Sequence, residues 1–121
     1  MDEKVVKWYV DAYLATQDIL SFVEEMSLDS YATDQKTKNA VERSFEIIGE
    51  ALNRIRNLDE NLLQPINEHH AIIGFRNHLA HGYDQVDNNL VWSLIVIKLP
   101  SLVHDIRSIP EVKYEIQSLN S

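Results

Sequence analysis

An all-α fold, an antiparallel bundle of about four to five helices forming one domain over residues 1–121, is what three observations predict. Hydrophobic residues make up 45% of the 121 positions while glycine and proline occur three times each, a composition suited to one compact helical unit. Apolar residues recur at spacings of three and four over long uninterrupted runs. No segment is strand-rich, repeated or of low complexity. A domain of this size buries a smaller share of its surface than a larger one, so part of its apolar helix surface is expected to be covered by a second copy, in a homodimer.

The first helix is expected from Lys4 to Met26, where Val5, Tyr9, Ala12, Ile19, Leu20 and Val23 form an amphipathic pattern with no Gly or Pro among them. The polar stretch Ser27 to Asp34 reads as a connector, with Thr33 or Asp34 as N-cap of the next helix. That second helix covers Gln35 to Asn57. In it Val41, Phe45, Ile48, Leu52 and Ile55 keep a four-three-four-three spacing, the pattern of a seam against another helix. Glu42, Glu46 and Glu50 form an i, i+4 row on its polar side, read first as a solvated face. Gly49 in mid-helix costs roughly 1 kcal/mol relative to alanine, and close approach of another helix is the expected compensation. Asp59, Asn61 and Pro65 mark a turn-rich connection between Asn57 and Asn67. The third helix starts near Glu68, turns Ile72, Phe75 and Leu79 to the core and ends near His81 and Gly82. Asp87 or Asn88 caps the helix after that. It is apolar on nearly every face from Leu90 to Val103 and is therefore expected at the centre of the bundle, with a kink or a released carbonyl at Pro100. A short helix from Pro110 to Leu119 completes the domain.

A formal net charge of −8 argues against a general nucleic-acid coat protein, which would attract phosphate through a basic surface. A local patch still suffices for a transient RNA substrate, and Arg43, Arg54, Arg56 and Arg76 are its candidates. The acidic remainder suits a cationic protein partner equally well. The absence of cysteine rules out disulfides and thiolate zinc sites and fits a reducing cytoplasm. The opening Met-Asp-Glu-Lys lacks a cationic stretch followed by an apolar core, and no uncharged apolar run is long enough to span a bilayer. The expectation is a soluble cytoplasmic protein with no membrane partner.

Chemistry concentrates in the stretch from Arg76 to Tyr83, Arg-Asn-His-Leu-Ala-His-Gly-Tyr, which sets a fixed cation, an amide, an imidazole and a phenol within two helical turns. In a regular helix Asn77 and His81 lie about 40° apart on one face, whereas Arg76 and His81 diverge by about 140°. One copy therefore need not close a site alone. The groups can converge where the helix ends at Gly82, or a second copy can supply the missing partner. Cleavage of an RNA phosphodiester without a metal needs a group that exchanges a proton with the 2′-OH or the leaving 5′-oxygen, and positive charge at the phosphorane. His81 suits the first task and Arg76 the second, with Asn77 supporting either the imidazole or a phosphate oxygen. Read alone, the same residues also suit an ordinary helix end. His78 and His81 are three apart but lack an obvious carboxylate to complete a metal set, so neither a metal nor another cofactor is expected. Trp8 and Trp92 read as core or interface residues.

The pattern Arg-x4-His-x-Tyr resembles the signature of the HEPN ribonuclease superfamily, and within it the HepT-like toxins. The run from Asn39 to Ala51 (Asn-Ala-Val-Glu-Arg-Ser-Phe-Glu-Ile-Ile-Gly-Glu-Ala) looks like that family's second-helix block. Val91-Trp92 followed by Leu99, Pro100 and Leu102 looks like its closing-helix block. The resemblance implies a HEPN-like bundle that dimerises through helix faces. It further implies a metal-independent endoribonuclease acting on RNA, tRNA or mRNA, with Arg76 and His81 as catalytic residues in a cleft at the dimer interface. In that family the tyrosine at the position of Tyr83 receives AMP from a MntA-like nucleotidyltransferase antitoxin. Arg43 and Arg54 are then candidate RNA contacts. The alternative is a non-catalytic helical module that docks a nucleotidyltransferase.

Overall fold

Polar side chains that satisfy free amides set most helix starts. Asp2 accepts from the Lys4 amide at 2.8 Å and begins α1 (Glu3–Phe22). In the computed structural model, which describes residues 1–80 and 86–120, α1 ends four residues earlier than the sequence pattern suggests. The chain turns there through Glu25, whose φ of 65° lies in the left-handed region. The polar stretch expected to be a connector instead forms a short helix, α2 (Leu28–Ala32). Ser27 and Ser30 cap each other reciprocally, the Ser30 amide donating to Ser27 Oγ at 3.2 Å and the Ser27 amide to Ser30 Oγ at 2.9 Å. The helix buries Tyr31 completely.

Asp34 caps α3 (Gln35–Leu58) by accepting from the Thr37 amide at 3.0 Å, and that amide holds its carboxyl below the usual carboxylate range. α3 is the axis of the bundle. The predicted seam residues Val41, Phe45, Ile48, Leu52 and Ile55 are all fully buried, with α1 along one side and α4 (His69–Ala80) along another. Ala12 and Ala15 keep α1 close, and the buried Tyr9 hydroxyl donates to the Leu62 carbonyl at 2.6 Å, tying α1 to a 3-10 turn at Glu60–Leu63. The Phe45 and Phe75 rings meet edge-on at 5.3 Å and lock α3 to α4.

Asp87 caps α5 (Asn88–Ser93), which continues through a π turn at Leu94–Lys98 into α6 (Leu99–Arg107). The Leu99 amide reaches back five residues to the Leu94 carbonyl just before Pro100, a residue with no amide to give. This helix is not at the centre of the bundle. Val91, Leu94, Ile95, Leu99, Leu102 and Ile106 point inward, but Leu90, Val96 and Ile97 are exposed. Over Asn88–Arg107 it is long and apolar enough to cross a membrane by length and composition, though it carries Lys98, Asp105 and Arg107. Its inward residues pack into the core, which accounts for part of that apolarity. Asp105 is nearly buried and accepts from the Asn67 amide at 3.0 Å, fixing the approach to α4. The last helix, α7 (Pro110–Leu119), packs on α1 and α6. All regular structure among the described residues is helical.

Candidate active site

α4 carries the first half of the Arg-x4-His-x-Tyr motif. Ile72, Ile73 and Phe75 anchor it on α3, leaving Arg76 half-buried and Asn77 exposed. The contact between the two helices is closest at Gly49. A Cβ built there would overlap Arg76 Cβ, and would lie 2.7 Å from Arg76 Cγ and 3.4 Å from the Ile72 carbonyl oxygen. The close approach expected from a mid-helix glycine is therefore present, and the residue it admits is the motif arginine. Sequence spacing gave no sign of which helix, or which side chain, would occupy that space.

The stem of Arg76 lies against the α3 backbone, and its guanidinium turns toward Asn77, with Nη1 donating to Asn77 Oδ1 at 3.1 Å. One edge of the planar fork is thus held, and other N–H groups remain for an anion. His81 and Tyr83 lie outside the described residues, as do Gly82 and Asp84. His78 stacks with Phe75, the ring planes 16° apart at 6.4 Å. Among the described residues no group of three or more His, Cys, Asp or Glu side chains stands close enough to hold a metal ion.

The arginines of α3 divide between two faces. Arg43 and Arg54 fall about 120° and 140° around the helix from Gly49, and pair with the carboxylate row, to Glu46 at 3.4 Å and Glu50 at 2.7 Å. Within one copy the structure does not bring them to Arg76. Arg56, seven residues after Gly49, falls within about 20° of it. Its guanidinium donates to Asn53 Oδ1 at 2.7 Å, and its charge reaches His69 at the start of α4. Among the arginines of the described residues, Arg56 and Arg76 thus share the α3–α4 side.

Glutamates on α3 are less solvated than the row pattern suggests. Glu42, Glu46 and Glu50 are all partly covered, and burial pushes the Glu42 carboxyl up, with Lys38 opposing and Glu46 reinforcing. Burial likewise lowers His69, with the neighbouring His70 and Arg56 acting in the same direction and Glu60 against them. Its ring lies 4.0 Å from that of His70. A cavity of about 760 Å³ lies elsewhere, between the start of α1 and α7, lined by Val6, Val10, Pro110 and Tyr114 among others, and it includes none of the motif residues. Trp92 packs beside Tyr31 with ring centroids 5.5 Å apart, and Trp8 is partly buried against the core, so both tryptophans take the packing role expected of them.

Comparison with known proteins gives this arrangement a context. The ribonuclease HepT-like family matches residues 13–109, which includes the whole of α3 and α4 and the motif. A protein of Methanocaldococcus jannaschii named "Putative RNase MJ0127" is 32% identical over 103 residues, 84% of this chain and 80% of its own length. "Probable ribonuclease HepT" of Thermococcus cleftensis is 35% identical over 88 residues, 73% of this chain and 79% of its own. A second M. jannaschii protein, "Putative RNase MJ1380", is 27% identical over 107 residues, 88% of this chain and 97% of its own. No solved structure matches the chain. With the family match extending across most of the helical bundle and over the Arg76 site, the protein belongs to the HepT-like ribonuclease family.

Proposed function

We propose that this protein is the toxin of a two-component toxin–antitoxin system, a metal-independent endoribonuclease that acts in the cytoplasm as a homodimer. Its cleft lies between two copies, and it is silenced when a MntA-like nucleotidyltransferase antitoxin adds AMP to Tyr83. The observation that carries this reading is the setting of Arg76: a motif cation pressed onto α3 at Gly49, held by Asn77, on the helix that leads into His81 and Tyr83. The family match supplies the ribonuclease context.

In the proposed reaction one His81 imidazole takes the proton of a ribose 2′-OH. The 2′-oxygen bonds to phosphorus, and the bond to the 5′-oxygen breaks. The imidazolium of the second copy's His81 gives its proton to that leaving oxygen, yielding a 2′,3′-cyclic phosphate and a 5′-hydroxyl. Arg76 offsets the charge of the phosphorane between these steps. An AMP group on Tyr83, bulky and anionic, would occupy the same phosphate site and pair with Arg76.

The test is cleavage of a cellular RNA pool in EDTA by wild type, Arg76→Ala, His81→Ala, and wild type pre-incubated with its nucleotidyltransferase and ATP. Cleavage by unmodified wild type alone is the expected result. AMP transfer to Tyr83 without cleavage by any sample would instead identify a non-catalytic docking module.

A further inference from the structure

We infer that Gly49 is a positioning residue for Arg76: the missing Cβ on α3 lets α4 settle at the depth that places the Arg76 guanidinium for cleavage. The inference rests on the reading of Arg76 as a catalytic residue. A Cβ at position 49 would overlap Arg76 Cβ, not only the flexible outer part of its side chain. The position of Cβ is dictated by the backbone, so no rotamer of Arg76 relieves the overlap. α4 itself would have to move outward, by on the order of 1 Å in a close-packed interface. Movement of that size reaches the guanidinium directly, because Arg76 and Asn77 ride on the same rigid turn and are joined by the bond from Nη1 to Oδ1.

Gly74 supplies a control on the same helix. It lies on α4 two residues before Arg76 and is exposed, and a Cβ there would meet no atom within 4 Å. Alanine suits a helix interior better than glycine at both positions. Only at position 49 does it also displace the helix that carries the arginine. Glycine at 49 therefore has a role that helix propensity does not explain.

Steady-state RNA cleavage in EDTA, at a temperature where every variant is folded, tests the inference on Gly49→Ala, Gly74→Ala and Arg76→Ala. Arg76→Ala should be inactive and Gly74→Ala should match wild type. Gly49→Ala should lose about 10²-fold in kcat, the scale of a 1 Å misplacement, while KM stays within about threefold. Thermal melts supply a second readout. Gly49→Ala should lower Tm in the wild-type background but leave it unchanged or raise it in an Arg76→Gly background, where the opposing Cβ is gone and helix propensity favours alanine. Wild-type kcat in Gly49→Ala beside an inactive Arg76→Ala would overturn the inference alone. Equal loss of Tm in both backgrounds would overturn it as well, even if the single variant is too unstable to assay. Full cleavage by Arg76→Ala would remove the reading on which it rests.

Discussion

Replacing Arg76 by lysine separates charge from shape at the proposed site. Both side chains share Cβ and Cγ, the atoms that meet α3 at Gly49, so Arg76→Lys should keep the helix contact and stay within about 0.5 kcal/mol of wild-type stability. What it loses is the planar fork, one edge of which is fixed by Asn77 at 3.1 Å while its other N–H groups are left for the proposed phosphate. A compact ammonium does not reproduce both contacts from one position. A hydrogen bond to a charged group contributes about 1.5–3 kcal/mol, and about 1.4 kcal/mol corresponds to tenfold in rate. Loss of one such bond in the transition state therefore lowers the rate by about 10- to 150-fold. Single-turnover cleavage of a defined RNA in EDTA measures this, with urea unfolding of the same preparations as the stability control. Cleavage within about twofold of wild type would refute the reasoning, since charge alone would then suffice. A slow variant that is also several kcal/mol less stable would refute it differently, by making the arginine a packing residue.

Three further outcomes are expected. Tyr9→Phe leaves the Leu62 carbonyl without its 2.6 Å donor and should cost about 1–3 kcal/mol in urea unfolding; an unchanged midpoint would show that the bond contributes nothing. Tyr31→Phe should be neutral or stabilising, because the buried hydroxyl has no hydrogen-bond partner among the described residues. A gain of 1 kcal/mol would raise Tm by about 4 °C in a domain of this size, and a clear fall in Tm would reveal a partner. Burial lowers the pKa of His69 from its ordinary 6.5, so below that value the unfolded chain takes up a proton that the folded chain resists. The contribution of His69 to stability is thus complete above pH 6.5 and is lost as pH falls through that value toward the lowered folded one. His69→Gln should flatten that decline in unfolding measurements run from about pH 7 to pH 5, and an unchanged slope would assign it to other groups.

Sequence pattern and structure agree where one physical rule dominates. The four-three-four-three spacing of α3 placed its buried face correctly because a helix with a single apolar stripe has one way to pack. Gly49 announced a close approach through its cost in mid-helix, yet not its partner, since the register between α3 and α4 depends on side chains 20 to 30 positions apart. The apolar helix from Leu90, expected at the centre, lies off it for a related reason. Composition counts apolar residues, while burial depends on which of them face a neighbour, and Val96 and Ile97 do not. α2 was missed because its capping box uses serine at both ends in place of the acidic partner at its third position. The early end of α1 was missed because a glutamate, not a glycine, takes the left-handed turn. Arg56 and Arg54 are indistinguishable by composition. Only their angle to Gly49 separates them, and that angle acquires meaning once α4 is known to lie there.

The wide turn before Pro100 bears on how the chain lengthens or shortens over generations. Val91, Ile95 and Leu99 are each four residues apart, and in a regular helix two such steps drift by about 80° around the axis. The turn over Leu94–Lys98 takes up that drift, so Leu99 stays on the buried side of the helix with Val91. Elsewhere in a helix, gaining or losing one residue swings every later side chain by about 100° and empties the core. At this turn the chain already holds its extra residue. Homologues that differ by one position across this helix should carry the difference between residues 94 and 98, and an alignment that puts the gap there will keep both halves of the closing helix in phase.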